Sequence, residues 1–146
     1  DQTIYGSVHI GVAEPFSKQL RNILIDKTKE LGYDYHESGT CVVIEGPRFS
    51  TKAESKMYRL WDADIVNMTL VPEVVLAREC QISYANIALV TDYDVWKEDN
   101  EVSHAKVMAT MKDNLMRVKK LLMTIIPEID DTTVWGSNDT LKDAGM

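Results

Sequence analysis

Long hydrophobic runs, clustered basic residues and paired cysteines are all missing from this 146-residue chain, and each absence removes a class of function. No apolar stretch reaches the ~18 residues that a membrane-spanning helix needs, and the first residues lack the charged and apolar regions of a secretory signal. Lys and Arg total 16 against 23 Asp and Glu, a net charge of −7. A nucleic-acid groove or an anionic membrane face needs clustered cations to offset phosphate charge, so neither partner is expected. Lys119-Lys120 comes nearest to a basic patch, but it falls late in an expected helix, where cations complement the helix dipole. Cys41 and Cys80 sit in apolar surroundings without CxxC spacing or an accompanying His. They are expected as buried free thiols rather than a disulfide or zinc site, which suits a reducing compartment. Seven glycines and four scattered prolines build no linker, low-complexity tract or repeat. The chain reads as one continuous unit, and its start at Asp1 without Met suggests a cut or processed portion.

What is present is an alternation of helical and strand patterns. Phe16, Leu20, Ile23, Leu24 and Leu31 share one face of a helix over 16–31, with Gly32 where a C-terminal cap belongs. Residues 40–45 are a short β-branched run ended by Gly46-Pro47, a buried strand leading into a loop. Thr51 and Glu54 have capping-box spacing and open a helix toward Met57, Leu60 and Trp61. Residues 64–69 predict a second strand, followed by an apolar helix to about Cys80 with Pro72 in its first turn. Residues 86–91 predict a third strand that breaks at Asp92-Tyr93-Asp94. After a polar stretch, Ser103 is placed to N-cap a long helix carrying Val107, Met108, Met111, Leu115, Val118, Leu122 and Ile125, with Pro127 past its end. This methionine-rich stripe is expected in the core. Residues 1–129 are expected to form one domain portion, and 130–146 a polar, weakly ordered tail. The alternation predicts an α/β fold with a largely parallel sheet, whose ligands lie beyond the strand ends. Loops 46–51, 67–73 and 91–103 are therefore the candidate site.

Each loop carries residues that can do chemistry. Asp92 and Asp94 follow a buried strand; two carboxyls this close disfavour simultaneous ionisation, and one that keeps its proton can act as a general acid. Taken alone, the pattern more commonly marks an Asp-containing turn at a strand end. The same Asp-x-Asp resembles the nucleophile loop of haloacid-dehalogenase-like phosphatases; Val95 fits that pattern, but Trp96-Lys97 does not. Phe49 could stack on a flat heterocycle and Met68 could lie against an apolar sugar face, although both types also serve as core residues.

Taken together the loops are more specific. Gly46-Pro47-Arg48-Phe49-Ser50-Thr51 with Ala53-Glu54, then Asn67-Met68-Thr69 joined to Val71-Pro72-Glu73-Val74-Val75-Leu76-Ala77, then Thr91-Asp92-Tyr93-Asp94, resemble successive motifs of the trimeric nucleoside phosphorylases. The resemblance runs from about Val8 to Ile129, with motif order and spacing kept. It implies the C-terminal portion of a phosphorylase/hydrolase-like mixed β-sheet flanked by helices, in a homotrimer of the cytoplasm and the nucleus. It also implies a pentosyltransferase of purine and methionine salvage, of the branch that cleaves 5′-methylthioadenosine and related 6-aminopurine nucleosides. Inorganic phosphate is the co-substrate and no metal or organic cofactor is expected.

By the same resemblance Asp92 serves purine N7 and Asp94 lies beside the 6-amino group, as an amino donor needs an acceptor. Phe49 packs on the base, Met68 lies under the ribose and Thr69 helps bind phosphate. The 6-oxopurine branch, the alternative substrate class, carries Glu at the position of Ser50 and Asn at that of Asp92; both are replaced here. His104 stands where methylthioadenosine enzymes tend to have Val and where the 6-oxopurine branch often has a His for the 5′-hydroxyl. The loop before it is one residue shorter than the family's, so an exposed first-turn His is the competing reading. Val107 belongs to the same substrate-binding set, and His9 matches a position that reaches a neighbouring subunit's 5′-substituent pocket. The family's phosphate-binding loop, an Arg-His pair and a further Thr have no counterpart in these residues. A catalytically silent module that binds adenine or assembles subunits is the second expectation.

Overall fold

The computed structural model describes residues 9–97, 103–130, 141 and 144. Most of the expected tail, and residues 98–102 of the third loop, lie outside the described residues. Four helices and one two-stranded sheet make up the described architecture: α1 Lys18–Glu30, β1 Cys41–Val43, α2 Lys52–Leu60, β2 Ile65–Asn67, α3 Leu70–Glu79 and α4 His104–Ile125. No described helix is long and apolar enough to cross a membrane.

The helix ends follow from side-chain chemistry. Ser17 caps α1 by accepting the Leu20 N–H, and Thr51 and Glu54 form the expected capping box on α2. Gly32, at φ +67°, closes α1, its N–H donating to the Lys29 carbonyl and that of Tyr33 to the Thr28 carbonyl. These two bonds satisfy carbonyls that the helix itself leaves open. Asp62 and Gln81, at φ 59° and 56°, take the same left-handed position after α2 and α3. Extended backbone at Val71 (φ −107°, ψ 130°) kinks the start of α3, as the ring of Pro72 requires of the residue before it.

β1 and β2 pair in parallel, with Cys41 opposite Ile65 and Val43 opposite Asn67, and the Ile44 N–H extends the pairing to the Asn67 carbonyl at 2.9 Å. Parallel strands need a crossover, and α2 supplies it. Both strands therefore end on one edge, where loops 46–51 and 67–70 emerge side by side. Ile44, Tyr58, Leu70, Val74, Leu121 and Ile125 are buried at the core.

Three expectations are corrected. Residues 86–91 form no strand among the described residues. A strand exists only by pairing, and the Val90 carbonyl accepts from Asn114 Nδ2 of α4 instead, at 3.1 Å; an apolar run signals burial, not a ladder partner. The α4 stripe is split: Val107, Met111, Val118, Leu121 and Ile125 turn inward, whereas Met108, Leu115 and Leu122 are exposed together with Met116 and Met123. Residues 108, 115 and 122 sit one position past the inward row, about 100° further round the helix, so α4 carries two apolar faces and one is covered. Cys80 is exposed as the C-cap of α3, while Cys41 is half-buried and burial pushes its thiol pKa up.

Candidate active site

Loop 46–51 leaves β1 at Gly46. A Cβ there would lie 3.2 Å from the Met68 sulfur and 3.5 Å from its Cβ, so the bare backbone lets the two loops touch. Arg48 then folds toward the start of α2. Its guanidinium donates to both Glu54 oxygens at 2.9 and 2.7 Å and to the Phe49 carbonyl at 3.1 Å. Glu54 Oε2 also accepts from the N–H and the hydroxyl of Thr51, each at 2.8 Å. Arg48 first, and then these Thr51 donors, pull the Glu54 pKa down to about 2. Phe49 is left 47% exposed on this loop, while Ser50 is buried.

Loop 67–70 is held by Asn67. Its Oδ1 accepts from the Thr69 and Leu70 N–H groups, both at 2.7 Å, and so caps the start of α3 although Thr69 makes no side-chain cap. Met68 is half-buried and Thr69 exposed. In the third loop Asp92 accepts twice: Oδ2 from the Thr91 hydroxyl at 2.8 Å and Oδ1 from the Asp94 N–H at 2.9 Å. Asp94 takes φ 55° and begins a 3-10 turn to Trp96 that packs on α2. There the Arg59 guanidinium carbon sits 4.2 Å from the centroid of the Trp96 ring. Helix α2 thus carries one loop at its N-terminus and grips the other near its C-terminus.

The structure brings Phe49, Ser50, Met68 and Thr69 to one sheet edge, and ties Asp92 to Asp94 in a single turn. His104 and Val107 lie on the opening turns of α4, the first exposed and the second half-buried, with no hydrogen bond to these loops among the described residues. His9 is exposed, and its backbone N–H donates to the Ala144 carbonyl at 3.0 Å. Arg48, Glu54, Asn67 and Arg59 were missed as contributors to the site. An Arg six residues before a capping-box Glu, and an Asn three before the first residue of a helix, were the available signals. A cleft of about 140 Å³ lies elsewhere, lined by Phe16, Arg78 and Tyr84 among others and by none of the candidate site residues. Burial, followed by the hydrogen bond to Glu73, pushes the Tyr84 hydroxyl pKa up to about 12. Among the described residues no group of three or more His, Cys, Asp or Glu is placed to hold a metal ion.

The sequence profile of the phosphorylase superfamily matches residues 1–127. The chain belongs to the phosphorylase superfamily. Within it, S-methyl-5′-thioadenosine phosphorylase of Xenopus tropicalis is 54% identical over 125 residues, covering 85% of this chain and 44% of that relative. The Pyrococcus abyssi protein of the same name is 52% identical over 134 residues, covering 92% of this chain and 51% of the relative. Among solved structures, methylthioadenosine phosphorylase from Schistosoma mansoni in complex with adenine superposes with a TM-score of 0.82 at 38% identity, over 89% of this chain and 52% of that one. The α/β architecture is thus that of the superfamily, as the loop motifs implied. This chain spans about half the length of the curated relatives it matches.

Proposed function

We propose that this chain is the base-recognising portion of a nucleoside phosphorylase that cleaves 5′-methylthioadenosine to adenine and 5-methylthioribose-1-phosphate. The observation that carries this reading is the Asp92–Asp94 turn: two carboxyls on one hydrogen-bonded turn, gripped by the helix into which the Phe49–Ser50 loop leads. In the reaction a phosphate oxygen bonds to the anomeric carbon as the bond to purine N9 breaks, and the purine takes the electron pair. A proton reaching N7 stabilises that leaving group. Among the described residues Asp92 Oδ1 is engaged by the Asp94 amide and Oδ2 by the Thr91 hydroxyl, which can rotate away and leave Oδ2 to face N7. Asp94 accepts from the 6-amino group, Phe49 stacks on the base, Met68 lies under the ribose and Thr69 meets phosphate. His104, Val107 and His9 complete the substrate set toward the 5′-substituent, the last across a subunit boundary. Inorganic phosphate is the co-substrate and no metal or organic cofactor takes part.

The relatives' names and the adenine complex support the substrate class. The uncovered second face of α4 supports assembly, for which we take a homotrimer. Free cysteines suit the cytoplasm and nucleus, and methionine and purine salvage is the setting that the substrate gives. Comparing phosphate-dependent cleavage of methylthioadenosine and inosine tests the base assignment; faster inosine cleavage overturns it.

One observation favours a second reading. Small-molecule sites bury most of their ligand, yet Phe49 is 47% exposed and Thr69 exposed on an open edge. The second reading is a module that binds adenine without phosphorolysis. Adenine binding without adenine release from methylthioadenosine is its signature.

A further inference from the structure

Ion pairs between exposed side chains contribute little to stability, and the Arg48 and Glu54 side chains are 53% and 27% exposed. The geometry of this pair is nonetheless more exacting than a surface contact requires. Two parallel bonds join guanidinium and carboxylate, a fork-to-fork arrangement that fixes orientation as well as distance. The same guanidinium holds the carbonyl of Phe49, and the same carboxylate holds the amide of Thr51. These bonds fall on the residues immediately before and after Ser50. With both neighbours tied to the first turn of α2, Ser50 stays buried and Phe49 remains exposed on the loop. Glu54 neutralises the charge of Arg48 and occupies its fork, which leaves the guanidinium poorly suited to bind an anion of its own.

We propose that Arg48 and Glu54 are positioning residues for purine recognition, a clamp that holds Phe49 and Ser50 in the geometry that receives an adenine ring. The proposal rests on the reading that these two residues meet the base. Neither clamp residue touches substrate; both act through the backbone of 49–51. Releasing the clamp removes binding made equally in ground and transition states, so nucleoside KM rises while kcat holds. The expected size is that of one aromatic stacking contact, about tenfold.

The test compares Arg48→Met, Glu54→Gln and the double variant with the unmodified protein, by adenine calorimetry and by steady-state phosphorolysis of methylthioadenosine. Ser17→Ala, which removes the N-cap of α1, serves as a control for lowered stability alone. Each single variant is expected to weaken adenine binding and raise nucleoside KM about tenfold, and the double no further, because the pair acts as a unit. Values of kcat and phosphate KM stay within about twofold, and Ser17→Ala lowers Tm without moving adenine affinity. Single variants with unchanged adenine affinity, or a double whose effect is the product of the two, overturn the clamp. If the unmodified protein binds adenine without phosphorolysis, the reaction reading falls and the clamp is judged on calorimetry. If it binds no adenine, both fall.

Discussion

A methyl group added at Gly46 meets the Met68 sulfur at 3.2 Å, inside the ~3.5–4.0 Å at which non-bonded heavy atoms are best separated. Gly46→Ala therefore makes Met68 give way by a few tenths of an ångström. Methionine is unbranched and flexible, so the accommodation itself costs less than about 1 kcal/mol, a Tm loss below about 4 °C for a domain of this size. Function is expected to suffer more, because Met68 is the proposed floor of the ribose site. Sub-ångström gaps forfeit a quarter to a half of a van der Waals contact; summed over one side chain this is about 1 kcal/mol, or roughly a fivefold rise in KM for methylthioadenosine. Gly39→Ala, before the other end of β1, is the matched comparison. There a Cβ would meet Asp64 Oδ2 at 3.0 Å, and that oxygen accepts the Thr40 N–H at 2.6 Å. Displacing it disturbs a hydrogen bond worth about 1 kcal/mol and leaves nucleoside KM alone. Thermal unfolding and steady-state kinetics on both variants decide. Equal Tm losses with KM unchanged in both would refute the placement of Met68 in the nucleoside site.

The left-handed helix closures give two substitutions of opposite sign. Asp62→Gly relieves a side chain held at φ 59° and is expected to stabilise by about 0.5 kcal/mol, after the entropic cost of glycine is set against the strain. Gly32→Ala is expected to destabilise by about 1 kcal/mol although nothing lies within 4 Å of the added carbon, because φ there is +67°; denaturant midpoints read both. Glu54 ties stability to acid. Its pKa falls from 4.5 to about 2 on folding, so its contribution is complete above the unfolded value and is lost as pH drops through about 2. The stability gap between the unmodified protein and Glu54→Gln should close across that window in acid-unfolding curves, and a gap that persists at the bottom of it would contradict the assignment.

Local rules that complete themselves within a few residues were legible in the sequence. Thr51 and Glu54, Gly32, and Ser103 before α4 have partners three to five residues away, so spacing alone determines the bond; the helix read over 16–31 instead starts at Lys18, capped by Ser17. Gly46-Pro47 and Asp92-Tyr93-Asp94 were readable as breaks for the same reason. Residues 86–91 were not, since an apolar run records burial and says nothing of a hydrogen-bonding neighbour. The second face of α4 escaped because methionine and leucine at seven-residue spacing look alike whether covered or open. Family resemblance supplied the residues proposed to face substrate, but not what holds their loops: the grip of Arg48 on Glu54, the capping role of Asn67 and the stacking of Arg59 on Trp96. The last joins residues 37 positions apart along the chain, and only the fold brings them together.

The most direct test of the central claim is the ratio of kcat/KM for methylthioadenosine to that for inosine, measured with phosphate in the unmodified protein and in Asp92→Asn. A ratio well above one is expected in the unmodified protein. Asp92→Asn should lower methylthioadenosine turnover by about a hundredfold, the scale of one lost general acid, with a smaller loss for inosine. A ratio below one in the unmodified protein, or one that Asp92→Asn leaves unmoved, would contradict the claim that this turn recognises and protonates a 6-aminopurine.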